Sequence, residues 1–259
     1  MTADRSLRAR LAKRLTAQLI AKVTTKTTAA LAVLLLAAAC ASSPKPADWQ
    51  LEAKGALDRA LAAYLEGNSR VEALEFARAK TEISSTGKVN DMARAELLRC
   101  ASRVASLVFE PCAGFDTLRV DAGPAERAYA TYLLGTLPLE QFQLLPERQQ
   151  RAMAVGSSGS SGNTGGSGAA AAATADDALS QLVATGVAFQ AGKADLPRIR
   201  QAVETASGQG WRRPLLAWLG VQLALAEKSG EVDEAARLRR RIALARGDVK
   251  AAAPAPAVP

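Results

Sequence analysis

The chain has 259 residues and a formal net charge of +8, but this charge is concentrated at its beginning. Residues 1–39 hold seven basic residues and one acid; subtracting their +6 from +8 leaves +2 for the rest of the chain, which argues against nucleic acid as a partner. Histidine is absent, which removes the commonest general base and metal ligand, so we predict no enzyme, no cofactor and no metal site.

An export signal is predicted over residues 1–39. Residues 27–39 form an apolar run that is shorter than the roughly 20 residues needed to cross a bilayer and that follows a basic region, as in a signal peptide. Ala37-Ala38-Ala39-Cys40 resembles the lipobox of bacterial lipoproteins, although that family prefers leucine where Ala37 stands. The resemblance implies cleavage before Cys40 and lipidation of Cys40, which would anchor the chain in a membrane.

The resemblance also implies a location. Ala41 stands where an aspartate commonly retains lipoproteins at the inner membrane, so the outer membrane, facing the periplasm, is expected. Two alternatives remain open: an ordinary secretory signal that happens to precede a cysteine, and a true start downstream of Met1, for example at Val23.

The rest of the chain is predicted to be all-α. Alanine, leucine, arginine and glutamate favour helices, and period-two runs of β-branched residues are absent. A stretch rich in Gly and Ser follows residue 155 and either joins two lobes or enlarges a loop within one domain. The predicted organisation is a lipidated tether at 40–47, an N-terminal helical lobe at 48–155, a flexible linker at 156–174, a C-terminal helical lobe at 175–248 and a disordered tail at 249–259.

In the N-terminal lobe we predict two helices that form an αα-hairpin. The first begins near Asp48 and ends at Gly67-Asn68. The second has an apolar face and ends near Gly87. The residues predicted for that face are Val71, Leu74, Phe76 and Ile83.

A third helix begins near Val89 and is followed by a loop at 109–123, after which Pro124 suits the first position of a fourth. The inward face predicted for the third helix comprises Leu97, Ala101, Val104 and Val108.

In the C-terminal lobe, Gly192 is predicted to end one helix and Asp195 with Pro197 to begin the next. Residues 214–227 are apolar almost all round, which is typical of a central, buried helix. A last helix at 231–246 carries a basic face.

The hairpins resemble tetratricopeptide repeats. In the first, Tyr64 follows Leu61 by three residues and Ala73 follows Tyr64 by nine, as the repeat asks, although Leu61 replaces its glycine. In the last, Leu219-Gly220 and Leu223 fit the opening of the repeat, but the two hairpins do not lie on a regular 34-residue grid. The resemblance implies an irregular α-solenoid, with an irregular helical domain as the alternative, and a scaffold that binds a peptide or protein.

Cys100 and Cys112 are the cysteines that remain after Cys40. An oxidising compartment favours a disulfide between them. The chain length between them just permits the bond if residues 100–109 stay helical, and permits it more easily if the helix ends before Val108. Two buried free thiols are the alternative.

A candidate partner surface comprises an aromatic residue beside arginine and an arginine run. Trp211 beside Arg212 is a possible interface anchor, but Trp211 is also explained as a cap on the core. The run at 237–241 either binds an anionic partner or is a solvated face near a helix C-terminus. The candidate residues are Trp211, Arg212, Arg237, Arg240 and Arg241.

These features predict a non-enzymatic outer-membrane lipoprotein that acts as a periplasmic adaptor for another envelope protein. Lipoproteins of that kind serve in secretion, pili or envelope assembly, and the sequence selects none of these. The alternatives are a cell-wall-directed enzyme and a lipoprotein that binds a small ligand or lipid.

Overall fold

The structure is a computed structural model that describes residues 45–157 and 175–248. The predicted signal peptide, the lipidation site Cys40, nearly all of the predicted linker and the tail lie outside the described residues. The described residues contain helices and no strand, which confirms the all-α fold class.

The first two helices, α1 (Asp48–Glu66) and α2 (Ser69–Ser84), form the predicted hairpin. Small side chains recur along α1 at intervals of three and four and let α2 approach closely. Gly67 ends α1 with a φ of +97°, and the Asn68 side chain caps α2 by accepting a hydrogen bond from the backbone N–H of Val71 at 3.2 Å. The buried alanines of α1 are Ala53, Ala56, Ala60 and Ala63.

Helix α3 (Val89–Ala105) crosses both helices of this hairpin. A four-residue helix, α4 (Ala113–Asp116), interrupts the predicted loop, and α5 (Pro124–Leu133) begins at its proline as predicted. A 3₁₀ helix (Leu139–Leu144) then leads to α6 (Glu147–Ser157).

Four helices follow: α7 (Ala175–Gln190), α8 (Leu196–Gly208), α9 (Arg212–Lys228) and α10 (Val232–Arg246). Consecutive helices of this group pack against each other as helical hairpins. As predicted, Gly192 lies just beyond α7 with a φ of +68°, and Asp195 caps α8 by accepting from the Arg198 N–H at 3.0 Å.

One hydrophobic core joins the helices before and after the predicted linker. Helix α7 packs against α3 and α5, and α9 packs back against α1, so that the described residues from Asp48 onward form one compact unit. In a regular solenoid each repeat contacts only its neighbours, whereas the contact between α1 and α9 joins distant parts of this chain and makes the array irregular. The largest fully buried side chains come from both lobes and include Trp218, Tyr132, Phe115 and Leu182.

Some predicted apolar faces are wrong. On α2, Val71 and Leu74 are exposed, and Glu72 is buried in their place. Val108 is also exposed, because α3 ends at Ala105. Glu72 is tolerated because two arginines of α3 neutralise it, which a hydrophobic pattern read along one helix does not reveal.

The prediction that residues 214–227 form a helix buried on nearly all sides is also wrong. Helix α9 buries only one face, with Trp218 and Leu219, while Gly220 and Leu225 are exposed. Alanine and glycine on its outer face raise the hydropathy of the segment without needing burial. Within the described ranges, no helix is long and apolar enough to cross a membrane.

Candidate functional site

The Cys100–Cys112 pair lies at disulfide distance, as predicted, with a Cα–Cα separation of 5.9 Å. Because α3 ends at Ala105, the chain reverses early enough for Cys112 to return beside Cys100. The disulfide closes one side of an open cleft, here called the disulfide cleft, which has a volume of about 310 Å³. Its lining comprises Cys100, Arg103, Val104, Phe109, Glu110, Pro111, Cys112, Asp116, Arg119, Ala130, Leu133, Leu134 and Gln190.

A left-handed residue shapes the segment between the cysteines. Leu107 has a φ of +59° and is the only non-glycine residue with positive φ in the described part of the chain. The Val108 N–H donates to the Arg103 carbonyl at 2.9 Å and the Leu107 N–H to the Val104 carbonyl at 3.0 Å, which is a Schellman cap. The Leu107 side chain packs against the core, and the reversal leads Phe109 and Glu110 along the cleft.

Apolar side chains form the floor of the cleft and part of its rim. Val104, Ala130 and Leu133 are buried beneath it. At the rim Phe109 is 41% exposed and Leu134 is 48% exposed. Large apolar side chains that are half-exposed beside a concave floor are a usual feature of binding sites.

Phe109 connects this rim to the core. Its ring stacks on Phe189 with 6.5 Å between centroids, and Phe189 meets Trp218 edge-on at 5.7 Å. The Trp218 indole N–H donates to the Ala105 carbonyl at 3.0 Å, at the end of α3. The rim is therefore held by a line of aromatic contacts that reaches the centre of the core.

Both arginines of the cleft pair with its carboxylates, and Arg103 engages all three of its side-chain nitrogens on the protein. Arg103 donates through Nε to Glu110 at 2.8 Å, through Nη1 to the Arg99 carbonyl at 3.1 Å and through Nη2 to Glu72 at 3.5 Å, and its guanidinium lies over the Tyr64 ring. Arg119 donates to Asp116 at 2.6 Å and lies over the Phe115 ring.

The two carboxylates are less fully engaged. The Glu110 and Asp116 side chains are 54% and 44% exposed, and each accepts through one oxygen only from an arginine. Within the described residues, neither second oxygen has a protein donor. The formal charges of the cleft balance at zero. At the Arg103–Glu110 pair the spare polar group is an acceptor, because all three nitrogens of Arg103 are engaged, whereas Arg119 keeps donors beside Asp116.

Three helices end at the cleft. Val104, Leu133 and Gln190 belong to the last turns of α3, α5 and α7, and the Gln190 side chain donates to the Leu134 carbonyl at 3.2 Å. The C-terminus of a helix carries the equivalent of about half a negative charge. The helix ends therefore add a negative potential to a cleft that is otherwise neutral.

Tyr64 lies behind the cleft, where it joins the N-terminal hairpin to α9. Arg213 donates to the Tyr64 carbonyl at 2.7 Å and to Ser69 Oγ at 2.8 Å, and its guanidinium lies 4.3 Å from the ring centroid. Burial raises the pKa of Tyr64, and the positive charges of Arg103 and Arg213 oppose this shift. Tyr64 is thus a structural contact between distant segments.

Three buried glutamates were not predicted, and each forms an ion pair between helices. Such a carboxylate is neutralised by its partner and serves packing between elements. The pairs are Glu72 with Arg99 at 2.8 Å, Glu96 with Lys80 at 2.9 Å and Glu126 with Arg94 at 2.7 Å. Across residues 45–157 and 175–248, no group of three or more cysteine and acidic side chains is arranged to hold a metal ion.

The predicted partner surface is divided between two places. Trp211 is only 8% exposed and packs with the core, so it offers no exposed anchor, and the exposed Arg212 lies beside Gly67 instead. In the described structure no hydrogen bond or ion pair connects either residue to the arginines of α10.

The α10 arginines are mostly paired with carboxylates. Arg237 binds Glu234 at 2.7 Å and Arg241 binds Glu204 at 3.4 Å, whereas Arg240 is exposed and has no acidic partner among the described residues. The hydrogen bond from Arg237 lowers the pKa of Glu234, and the positive charge of Arg241 lowers it further.

Sequence reasoning identified both cysteines and the loop that follows α3, but not the cleft. One feature of the sequence could have indicated the cleft. A loop closed by Cys100 and Cys112 keeps Phe109 and Glu110 beside the end of α3. None of the family models, curated proteins or solved structures compared with this chain matches it.

Proposed function

We propose that this chain is a non-enzymatic, lipid-anchored adaptor of the bacterial outer membrane, whose periplasm-facing helical unit binds another envelope protein. The proposed location rests on the basic region, the apolar run at 27–39 and the lipobox-like residues ending in Cys40. The tetratricopeptide-like hairpins support a binding scaffold.

The observation that carries the binding role is the disulfide cleft. Its half-exposed rim residues Phe109 and Leu134 stand over a buried apolar floor, and the disulfide and the aromatic contacts fix that rim in place. Protein interfaces place preorganised apolar anchors at their centres and polar or charged groups around them. A disulfide at this position also suits an oxidising compartment.

The arginines of α10 are a second partner surface in this proposal, and Arg212 is a separate exposed cation beside Gly67. Arg240 has no acidic partner among the described residues, so it is available without breaking an existing pair. Arg237 and Arg241 would first have to exchange Glu234 and Glu204 for a partner's acids. The cleft therefore supports binding more strongly than this surface.

The proposed anchor and location are tested by intact-mass spectrometry and membrane fractionation of the native protein and of its Cys40→Ser variant. We expect acyl mass on Cys40 and outer-membrane location for the native protein, and a soluble or unprocessed variant. A native protein with an intact N-terminus and no acyl mass would overturn the proposed anchor.

The binding role is tested by photocrosslinking in intact cells. A benzoylphenylalanine at Leu134 lies on the rim of the cleft, while the same residue at Leu74 lies on the exposed face of α2 and serves as a matched control. We expect a defined protein adduct from position 134 that is absent from position 74. Equal labelling from both positions, or none from position 134, would contradict the proposal.

One observation favours a second candidate, a lipoprotein that binds a small ligand. The disulfide cleft has a volume of about 310 Å³, at the lower end of the range of about 300–1,000 Å³ that is usual for small-molecule sites. Native mass spectrometry of the protein released from membranes separates the two: a bound small molecule favours this candidate, and an empty chain favours the adaptor.

A further inference from the structure

We infer that the occupant of the disulfide cleft is a lysine or arginine side chain of a partner polypeptide, flanked by an apolar side chain. This inference rests on the proposed adaptor function and adds the chemistry of the partner segment. It follows from the polarity of the groups that the cleft leaves available.

The donors of Arg103 are committed to the protein. Arg103 is held by two carboxylates, a carbonyl and the Tyr64 ring, and its side chain is only 15% exposed. An anionic ligand would have to break these contacts, one of which involves the buried Glu72, and removing a partner from a buried charge is costly. At Arg119, which pairs with Asp116 through one N–H, an anion would lie beside the Asp116 carboxylate. Arg103 therefore offers no ready anion site, whereas its partner Glu110 is exposed.

The free acceptors of the cleft are carboxylate oxygens. Glu110 and Asp116 each keep one carboxylate oxygen without a protein donor, on side chains that are half exposed. A ligand cation binds these oxygens without displacing Arg103 or Arg119. Hydrogen bonds between ions of opposite charge are shorter and stronger than neutral ones.

The helix C-termini at the cleft also favour a positive charge. The last turns of α3, α5 and α7 meet at the cleft, so their C-terminal dipoles favour a positive charge there and disfavour a negative one. The sign of the potential and the free oxygens therefore point to the same ligand.

The apolar floor of the cleft favours a ligand with a methylene stem. A lysine or arginine side chain carries a methylene stem that covers apolar surface while its charged end remains near water. Val104 and Leu133 suit such a stem, and the exposed face of Phe109 suits a neighbouring apolar side chain. A small inorganic cation would leave this floor uncovered, which favours a side chain.

The test uses the full-length chain in detergent and four pools of decapeptides with a neutral fluorescent label. Each pool has random apolar residues around a central lysine, arginine, norleucine or glutamate. We expect the lysine and arginine pools to bind at least ten times more tightly than norleucine, with glutamate weakest. Equal affinity for norleucine and lysine, or a preference for glutamate, would overturn the inference.

Variants locate the effect. In the double variant Glu110→Gln/Asp116→Asn, the preference for lysine over norleucine should disappear while norleucine binding is retained, which also shows that the cleft is still formed. The control Glu52→Gln/Glu66→Gln removes two exposed acids of α1 and should keep the preference. Loss of the preference in both double variants would show that net charge, and not the cleft, attracts the peptide.

This assay is independent of the crosslinking experiment. A crosslinked envelope partner together with no preference for lysine would refute the inference and leave the adaptor function standing. A preference for lysine without any envelope partner would refute the adaptor function and leave the charge specificity of the cleft standing.

Discussion

The close approach of α7 to α3 makes Gly186→Ala the most informative single substitution. An ideal Cβ at Gly186 would lie 2.4 Å from the Val104 carbonyl oxygen, 3.0 Å from Val104 Cγ1 and 3.1 Å from its carbonyl carbon. The closest usual C···O contact is about 3.3 Å, so the helices have to separate by roughly 0.9 Å. The obstacle is backbone, and it cannot rotate away as a flexible side chain does.

Two effects of opposite sign decide the magnitude. Alanine in place of a glycine within a helix gains about 1 kcal/mol of intrinsic stability. Overpacking a well-filled contact costs about 1–3 kcal/mol, and a contact against backbone belongs at the upper end. We therefore expect Gly186→Ala to lower the free energy of unfolding by about 2 kcal/mol.

Gly220→Ala is the matched control. Gly220 also lies inside a helix, but an added Cβ there meets nothing within 4 Å. It should raise the free energy of unfolding by about 1 kcal/mol, which separates the two variants by about 3 kcal/mol. Guanidinium unfolding followed by circular dichroism at 222 nm measures both. A Gly186→Ala protein as stable as the wild type would refute the close packing of α7 on α3.

Three further predictions concern the disulfide, the link between α9 and the first hairpin, and the tyrosines. Replacing both Cys100 and Cys112 by alanine should lower the free energy of unfolding by about 3 kcal/mol, measured by guanidinium unfolding against the oxidised wild type; no change would mean that the loop is ordered without its bond. Arg213→Ala should cost about 2 kcal/mol in the same assay, because it removes two hydrogen bonds and a ring contact, whereas Arg212→Ala, whose residue is exposed, should stay within about 0.5 kcal/mol. Burial raises the pKa of all three tyrosines above the ordinary value of 10.0, so the unfolded chain loses these protons first and stability should fall as the pH rises beyond that value. Absorbance at 295 nm should therefore show no tyrosine titrating normally in the folded protein, and one that did would contradict the burial of Tyr64, Tyr129 or Tyr132.

Local signals in the sequence were sufficient for the helix ends. Gly67 and Gly192 adopt positive φ after their helices, Pro124 opens α5, and Asp195 caps α8, all as predicted. These signals work because a cap or a stop depends on a few consecutive residues. The disulfide was predictable because Cys100 and Cys112 are the cysteines that remain after Cys40, and the short segment between them permits the bond.

The burial of α2 and α9 was not predictable in the same way. Glu72 is buried because Arg99 and Arg103, 27 and 31 residues further along the chain, neutralise it. No periodic pattern within α2 contains that information. Helix α9 shows the opposite error, since its small outer residues raise its hydropathy without requiring a cover.

The same distinction explains why the arginine run attracted notice in the sequence while the cleft did not. A run of charges is contiguous, but its value for binding depends on pairing, and Arg237 and Arg241 already hold carboxylates. The cleft is assembled from the ends of three helices and a disulfide loop, and its useful groups are the oxygens that Glu110 and Asp116 leave unpaired. Because Arg237 and Arg241 are already paired while Glu110 and Asp116 each keep one oxygen free, the more conspicuous charge cluster is the weaker candidate for binding.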